Sequence, residues 1–278
     1  MSKSKRRQPT PRAHNSPAVD IVLPVYGQPE FLHACLESLY AHDAGLPYTV
    51  TLVDDVSPVD MDWVYRWATE RGAMLIRHPK NKGFAATCNS GARRGRAPWL
   101  LLLNTDTLIT HDGWLARLVT TGENPQVGVV GCLLTYFPAE HPLYKESPLR
   151  PPGKVQHAGV AFDIVGRPYH IFAGWPPDHP KVRQRREMSC VTGACLLTRR
   201  ALWKRLGGLD EAYTRGNFED VQYCILARLA GYKVVFTPDV HLYHYAGGSD
   251  NSETARRNAQ IFQMKVGSLV EYDEWRFW

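Results

Sequence analysis

The chain alternates between short apolar runs and segments whose apolar residues recur at helical spacing. The apolar runs predict buried strands at residues 20–25, 48–53, 74–77, 99–103 and 127–134. The segments between them predict helices at residues 30–41, 60–71, 83–94 and 111–121. The run at 99–103 is continuously apolar, which indicates a strand buried on both faces. This strand–helix alternation predicts an α/β fold with a mostly parallel central sheet flanked by helices.

The pattern changes in the second half of the chain. Residues 135–190 are rich in proline and aromatic residues and lose their periodicity, so we predict a long irregular excursion with one hairpin at 155–162. Regular structure is expected to return with an apolar stretch at 191–197 and helices at 200–206 and 219–230. Two strands, at 233–236 and 240–244, and a closing helix at 253–270 are predicted to follow. We therefore expect one domain at 19–250, with a C-terminal helix in 251–278 packed on it.

The net charge of +6 is concentrated at the N-terminus, where the first 17 residues hold five basic residues and no acidic one. We expect residues 1–18 to form a disordered basic tail, either solvated or in contact with anionic lipid. Since the rest of the chain is nearly neutral, we expect no nucleic-acid partner.

The longest uncharged apolar run, roughly 127–138, is shorter than the about 20 residues that a membrane span needs. The basic N-terminus is not followed by the apolar segment of a signal peptide. The six cysteines show no metal-binding spacing. We therefore expect a cytoplasmic protein, with the inner face of the membrane as the place where the tail could make contact.

Polar side chains follow two of the predicted strands. Asn104 and Asp106 come after the strand at 99–103, and Asp54 and Asp55 after the strand at 48–53. Ligands of parallel sheets bind at the carboxyl ends of the strands. Oxygen ligands suit a hard divalent cation, so Asn104-Thr105-Asp106 is a candidate metal site; the alternative is an ordinary turn rich in Asn and Asp. Asp54-Asp55 could accept hydrogen bonds from a ribose or a base, or could simply cap a loop.

Three further segments could contribute to such a site. Asn81 and Gly83 open a predicted helix, whose N-terminus favours anions; the alternative is a flexible start of the helix. Glu219 and Asp220 fall in the first turn of another helix, where a general base and a carboxylate favoured by the helix dipole are both possible. His244 is followed by glycines, which indicates either a metal ligand beside a ligand-binding loop or a structural histidine.

Taken together and in this order, the motifs resemble the inverting glycosyltransferases of family 2, which have the GT-A nucleotide-diphospho-sugar transferase fold. The resemblance covers about residues 19–250. It rests on Leu23-Pro24-Val25-Tyr26 with Glu30, Val53-Asp54-Asp55-Val56-Ser57 with Asp60, Asn81-Lys82-Gly83-Phe84-Ala85 with Asn89 and Gly91, Leu103-Asn104-Thr105-Asp106-Thr107, Gly193-Ala194-Cys195, Gly207-Gly208-Leu209-Asp210, Phe218-Glu219-Asp220-Val221, Gly231-Tyr232-Lys233-Val234 and the run from His244 to Ser249.

The resemblance implies a role for each matching position. Asp106, Asn104 and His244 would bind Mn²⁺ or Mg²⁺, and Asp220, with Glu219 beside it, would be the catalytic base. The nucleotide-sugar would contact a larger set: Pro24, Val25, Tyr26, Glu30, Asp54, Asp55, Asn81, Gly83, Asn89, Asn104 and Thr105. In this set Pro24, Val25 and Tyr26 would line the base pocket, Asp55 would contact base or ribose, and Asp54 would support the loop.

Two positions depart from the family pattern. Asn104 replaces the first Asp of the usual Asp-x-Asp motif, which resembles a rhamnosyltransferase-like subset and implies weaker metal affinity. Val56 stands where Gly or Asn is usual, so the geometry of that loop is in doubt.

The implied function is metal-assisted, inverting transfer of a sugar from a donor of the dTDP-rhamnose or UDP-hexose type. The acceptor would be a hydroxyl of a glycan or glycolipid, which points to polysaccharide biosynthesis. Its candidate contacts lie in the excursion: Trp175, which could stack on a sugar or pack in a loop, and His157.

Other classes fit the sequence less well. A nucleotidyltransferase would need a basic, glycine-rich loop after the first strand, and a Rossmann dehydrogenase would need GxGxxG there; neither is present. A catalytically weak or inactive nucleotide-sugar-binding protein stays open because of Asn104.

Overall fold

The computed structural model describes residues 16–246 and 252–277. Most of the predicted basic tail, the residues at 247–251 after the His244 segment, and residue 278 lie outside the described residues. Within the described part of the chain, no helix is long and apolar enough to cross a membrane.

The first half of the chain follows the predicted alternation. Its elements are β1 (Val19–Val25), α1 (Pro29–Ala41), β2 (Tyr48–Asp54), α2 (Asp62–Thr69), β3 (Met74–Arg77), α3 (Phe84–Arg94), β4 (Trp99–Leu103), β5 (Thr107–Ile109), α4 (Trp114–Gly122) and β6 (Val127–Thr135). The helices predicted from residues 60 and 111 begin two and three residues later. The three-residue strand β5 was not predicted, because so short a segment carries no periodicity.

The second half contains four short strands before regular structure resumes. Its elements are β7 (Val155–His157), β8 (Val160–Phe162), β9 (Pro168–His170), β10 (Arg186–Met188), β11 (Cys195–Arg199), α5 (Arg200–Leu206), α6 (Glu219–Leu229), β12 (Lys233–His244) and α7 (Ser252–Val266), followed by 3₁₀ turns at Gly267–Leu269 and Glu274–Arg276.

Among the residues that the structure describes, the central sheet has ten strands, in the order β10-β12-β6-β11-β4-β1-β2-β3, with β5 paired to β12 and β7 paired to β6. The run β4-β1-β2-β3 is entirely parallel, and β6 pairs in parallel with β12. β11 lies antiparallel between β4 and β6. The α/β fold with a largely parallel sheet is therefore confirmed, and the antiparallel insertion is a feature that hydrophobic periodicity does not show.

Helices cover both faces of this sheet. Along β1, Val22 packs on one side with α3 and α6, while Ile21 and Leu23 pack on the other side with α1 and α2. This alternation follows from the two-residue period of a strand. All five residues of β4 are buried, which confirms the prediction that this strand is covered on both faces. The parallel strands β4, β1, β2 and β3 have their carboxyl ends at the same edge of the sheet, where the candidate site lies.

Three predictions for the second half are wrong in detail. The predicted hairpin at 155–162 does not form, because β7 pairs with β6 and β8 pairs with β9. The strands predicted at 233–236 and 240–244 are one strand, β12, with an irregularity in its pairing to β6. The closing helix ends at Val266 instead of residue 270.

Candidate active site

Three side chains of the predicted metal site lie together at the carboxyl end of β4. The imidazole Nε2 of His244 lies 3.2 Å from Oδ1 of Asp106 and 3.4 Å from Nδ2 of Asn104. They meet because β5, directly after the Asn104-Thr105-Asp106 turn, pairs antiparallel with the end of β12, where Thr107 is opposite His244. The structure therefore brings together residues that are far apart in the sequence.

The main chain holds this turn firmly. The amide of Asn104 donates to the carbonyl of Ala194 at 2.9 Å, and Thr107 Oγ1 donates to the carbonyl of Asn104 at 2.7 Å. The amide of Ala246 donates to Oδ2 of Asp106 at 3.2 Å. Thr105, half-buried within the turn, is the remaining predicted member of this segment.

The charge of Asp106 is stabilised locally. Burial disfavours its ionised form, but the nearby His244 imidazole and the hydrogen bonds to Asp106 outweigh burial and hold the pKa of this carboxyl below its ordinary value. The other ring nitrogen of His244, Nδ1, lies 3.2 Å from Oε1 of Gln156 in β7. In the tautomer with its proton on Nδ1, His244 would donate a hydrogen bond to Gln156, and Nε2 would present its lone pair to a bound cation.

The donor atoms of this cluster fit a divalent cation. They are one carboxylate, one imidazole and one side-chain amide, all ligand types that Mn²⁺ and Mg²⁺ accept. Oδ1 of Asn104 is buried and has no hydrogen-bond partner, which is the environment expected of an oxygen that binds a cation. Only two of the three side chains are ionisable, and the described residues contain no group of three or more His, Cys, Asp or Glu placed to hold a metal.

Glu219 and Asp220 form the first turn of α6. Oδ2 of Asp220 accepts a hydrogen bond from the amide of Gly193 at 2.6 Å, and Oδ1 accepts from the amide of Val221 at 2.8 Å. Burial raises the pKa of Asp220 even though these amides oppose the rise. Glu219 is 4% exposed, and its Oε2 is buried without a hydrogen-bond partner.

Burial, and then the charge of Asp220, raise the pKa of Glu219 to about 8. The two carboxyl groups titrate together, and Glu219 is the one whose pKa lies above neutral pH. A carboxylate of raised pKa is better suited than an ordinary one to take a proton from a hydroxyl.

The backbone of Gly193 and Ala194 connects the two clusters. The Gly193 amide binds Asp220, and the carbonyl of the next residue, Ala194, binds Asn104. The general-base candidate and the metal-site candidates are therefore hydrogen-bonded to two adjacent residues, Gly193 and Ala194, directly before β11.

The Asp54-Asp55 pair lies at the end of β2. Asp54 Oδ1 accepts from the amide and hydroxyl of Ser57, and the Ser57 hydroxyl accepts from the amide of Gly27, which ties the loop after β2 to the loop after β1. Asp55 is 4% exposed, and its carboxylate contacts other groups of the protein.

The oxygens of Asp55 are both engaged by the protein. Oδ1 contacts Nδ1 of His78 at 2.8 Å and accepts from the Lys82 amide, and Oδ2 accepts from the Gly83 amide at 2.7 Å. Asn81 donates its side-chain amide to the carbonyl of Asp55 at 3.0 Å. Asp55 thus organises the start of α3; its predicted contact to base or ribose stays a prediction. His78 carries no local sequence signal, because its role comes only from this tertiary contact.

The loop after β1 gives the remaining donor-side positions. Pro24 is half-buried, Val25 is buried, and Tyr26 is 58% exposed. Glu30 is exposed and lines an open cleft of about 470 Å³. The other residues that line this cleft are Gln28, Pro29, Val59, Asp60 and Trp63.

Two further donor-side positions, Val56 and Asn89, have structural roles in this chain. Val56 has a φ of 64°, which is a left-handed conformation that Gly or Asn adopts more easily. Asn89 is buried in α3, where its side chain exchanges hydrogen bonds with the backbone of Leu209 and donates to Glu211. In this structure Asn89 joins α3 to the segment after α5.

The acceptor-side candidates lie in and beside β7. His157 is fully buried, its Nδ1 lies 2.8 Å from Nδ1 of His170, and burial lowers its pKa well below the ordinary value. Trp175 is half-buried and packs against Phe172 and His179. The carbonyl of Trp175 accepts the amide of Val155, so both candidates are attached to the strand that carries Gln156.

Comparison with solved structures defines the class of fold. The mannosyltransferase PcManGT from Pyrobaculum calidifontis, in complex with GDP-Man and Mn²⁺, aligns with a TM-score of 0.62 at 20% identity, covering 88% of this chain and 62% of that one. GalNAc-T7 with UDP, GalNAc and Mn²⁺ aligns with a TM-score of 0.68 at 15% identity, covering 90% and 48%. The fold is therefore that of the GT-A glycosyltransferases.

The sequence comparison identifies the family. The model of the family described as "Glycosyl transferase family 2" matches residues 20–206, so the chain belongs to glycosyl transferase family 2. The matched region includes Asp54, Asp55, Asn104 and Asp106. Glu219, Asp220 and His244 lie beyond it.

Two curated relatives are much longer than this chain. The O-antigen biosynthesis protein RfbC of Myxococcus xanthus is 30% identical over 251 residues, which cover 86% of this chain and 18% of RfbC. The uncharacterized protein y4gI of Sinorhizobium fredii is 27% identical over 258 residues, which cover 90% of this chain and 27% of y4gI. The chain thus spans about a quarter or less of the length of these relatives.

Proposed function

We propose that the chain transfers a sugar from a nucleotide-diphosphate sugar to a hydroxyl acceptor, with inversion at the anomeric carbon. Its membership of family 2 supports glycosyl transfer, and the nucleotide ligands of the solved neighbours support the donor class. The observation that carries the proposal is the backbone link at Gly193-Ala194, which joins a buried carboxylate of raised pKa to the cluster at Asp106.

Asn104, Asp106 and His244 would hold a divalent cation, Mn²⁺ or Mg²⁺. When bound, such a cation supplies positive charge that offsets the charge developing on the diphosphate leaving group. The Mn²⁺ in the two solved neighbours supports this proposal. The protein contributes a rigid site, because backbone hydrogen bonds fix the turn that carries Asn104 and Asp106.

Asp220 would act as the general base. Ionised while Glu219 keeps its proton, it would take the proton of the acceptor hydroxyl as that oxygen attacks the anomeric carbon. The two backbone amides that bind Asp220 hold its carboxylate in one orientation.

We propose a donor of the dTDP-rhamnose or UDP-hexose type and an acceptor hydroxyl on a glycan or glycolipid. The Asn-x-Asp motif supports a rhamnosyl-like donor, and the relative named for O-antigen biosynthesis supports a polysaccharide acceptor. The acceptor would approach from the side of residues 135–190, since Gln156 of this excursion contacts His244. Replacing Trp175 by alanine should then lower transfer without weakening donor binding.

The basic tail at residues 1–18 is a candidate for contact with anionic lipid at the inner face of the membrane. Sedimentation with phosphatidylserine vesicles, with and without alanine at the five basic positions of the tail, tests this contact.

Donor binding can be tested before the acceptor is known. Thermal unfolding should be measured with UDP-glucose, UDP-galactose, dTDP-rhamnose and GDP-mannose, each with Mn²⁺ and with a chelator. A ligand that binds only the folded state raises the unfolding temperature, so one donor should stabilise the chain in a Mn²⁺-dependent manner. Release of the nucleoside diphosphate should require the metal. In Asp106→Asn, release should stay low and should not increase when Mn²⁺ is added. Equal release with chelator would refute the metal assignment.

A second candidate is a nucleotide-sugar-binding protein with weak or no catalysis. Asn104 favours it, because an amide oxygen lends no charge to a metal site. This candidate predicts Mn²⁺-dependent stabilisation by the donor without release of nucleoside diphosphate above the rate without protein.

A further inference from the structure

The loop that leads into Asp220 has a backbone conformation that most residues avoid. Four consecutive residues, Arg215, Gly216, Asn217 and Phe218, have φ angles of 61°, 110°, 87° and 76°. Three of them carry a Cβ, for which this left-handed region is unfavourable. Such a run persists only where the surrounding structure holds it in place.

One side chain of α7 keeps the loop in this conformation. Asn258 is fully buried, and its Nδ2 donates to the carbonyls of Thr214 at 2.9 Å and Gly216 at 2.8 Å. Its Oδ1 accepts from the amide of Thr214 at 3.3 Å. Both N–H groups and the carbonyl of the Asn258 amide therefore bind the backbone of this one loop.

The loop has two further contacts. Phe262, one turn after Asn258 on the same face of α7, packs against Phe218 with ring centroids 5.1 Å apart. The loop also approaches Gly83 at the start of α3, where a Cβ would lie 3.0 Å from the Arg215 amide nitrogen. The loop therefore contacts both α7 and the start of α3.

The position of this loop sets the position of α6. Phe218 is the N-cap of α6 and makes no side-chain capping hydrogen bond, so the first turn depends on the loop for its placement. That turn carries Asp220, whose carboxylate must reach the amide of Gly193. We propose that Asn258 is a positioning residue, which holds loop 214–218 so that Asp220 faces the acceptor hydroxyl.

This inference rests on the proposed function of Asp220 as the base. It adds a residue on a helix that lies outside the region matched by the family model. A change at Asn258 should act on the proton-transfer step, while donor binding at the end of β4 should change little.

The test compares Asn258→Ala with Gln260→Ala, a control at an exposed position of the same helix. Nucleoside diphosphate release should be measured with whichever of UDP-glucose, dTDP-rhamnose and GDP-mannose the wild type hydrolyses fastest. We expect kcat to fall about 10–100-fold in Asn258→Ala, because misplacing a catalytic group by about 1 Å can have an effect of that size. The Kd of the donor should stay within about threefold. Deuterium exchange of the amides at 214–220 should become faster than in the control.

Combination with Asp220→Asn separates positioning from a general structural effect. If Asn258 acts through Asp220, Asn258→Ala should lower kcat by less than about threefold in the Asp220→Asn background. An equal loss in both backgrounds, or unchanged exchange and kcat in the single variant, would overturn the inference. Should Asn258→Ala fail to fold, Asn258→Ser keeps one donor and is judged by the same criteria. Wild-type turnover by Asp220→Asn alone would overturn the proposed function. The deuterium exchange of the amides at 214–220 would still show whether Asn258 holds loop 214–218.

Discussion

Replacing Glu219 by glutamine removes a carboxyl group that the fold keeps away from water. Glu219 is 4% exposed and one of its oxygens has no hydrogen-bond partner. Burial first, and the negative charge of Asp220 second, raise its pKa from an ordinary 4.5 to about 8. Glutamine has the same shape as the protonated acid and does not ionise, so the substitution isolates the effect of this ionisation on stability.

The direction of the effect follows from proton binding. Between pH 4.5 and pH 8 the folded chain keeps the Glu219 proton and the unfolded chain loses it. The contribution of Glu219 to the free energy of unfolding is therefore largest below pH 4.5 and is lost as the pH rises to about 8. At about 1.36 kcal/mol for each pH unit, this interval corresponds to at most about 5 kcal/mol. Because Asp220 titrates together with Glu219, we expect a measured change of about 2–5 kcal/mol.

The assay is urea unfolding at several pH values between 5 and 9. The free energy of unfolding of Glu219→Gln, minus that of the wild type, should rise between pH 5 and pH 8 and then level off. Glu70→Gln, at an exposed position of the surface, serves as the matched control and should follow the wild type at every pH. Parallel profiles for Glu219→Gln and the wild type would show instead that Glu219 is ionised in the folded chain at neutral pH.

Three further changes test the packing and the site. Asp20→Ala should lower the free energy of unfolding by about 3–5 kcal/mol, because it leaves the buried guanidinium of Arg200 without its carboxylate; urea unfolding measures this. Gly91→Ala should destabilise the fold by about 1–3 kcal/mol, because a Cβ would lie 2.4 Å from a side-chain carbon of β1; thermal unfolding measures this. Gln156→Leu should weaken Mn²⁺ binding about 10–100-fold, because it removes the hydrogen-bond partner of His244 Nδ1; isothermal titration with Mn²⁺ measures this.

Each of these has an outcome that contradicts it. Arg94→Ala, at an exposed position on α3, is the control for Asp20→Ala and Gly91→Ala. If either variant unfolded like this control, the ion pair or the close packing would contribute little to stability. For the third, wild-type Mn²⁺ affinity in Gln156→Leu would show that Gln156 does not orient the imidazole.

The elements predicted well are those with long apolar patterns. The predicted bounds of β4 are those observed, because all five of its residues are apolar and the run stops at Asn104. The bounds of β3 also agree, although its last residue, Arg77, is exposed. β5, β9 and β10 have three residues each, too few to show a period. The hairpin at 155–162 failed for another reason: the pairing of β7 with β6 is a long-range contact that a local pattern does not contain.

The candidate site likewise contains residues that the local sequence indicates and residues that it does not. Asn104 and Asp106 could be proposed from their place after a buried strand, and the structure brings His244 to them through β5. Gln156 and Asn258 carry no local signal, because their importance comes from a neighbour far away in sequence. Only the folded structure shows the contacts that give these two side chains a role.

If Asp220 is the base of a glycosyl transfer, turnover by a variant without this carboxylate should be strongly reduced. Nucleoside diphosphate release by Asp220→Asn should be measured at saturating donor and Mn²⁺, with Asp112→Asn, an exposed position, as control. We predict that Asp220→Asn binds donor like the wild type and loses about 10²–10⁴-fold in kcat, the contribution of a general base. Near-normal kcat in Asp220→Asn, with donor bound normally, would show that Asp220 is not the base.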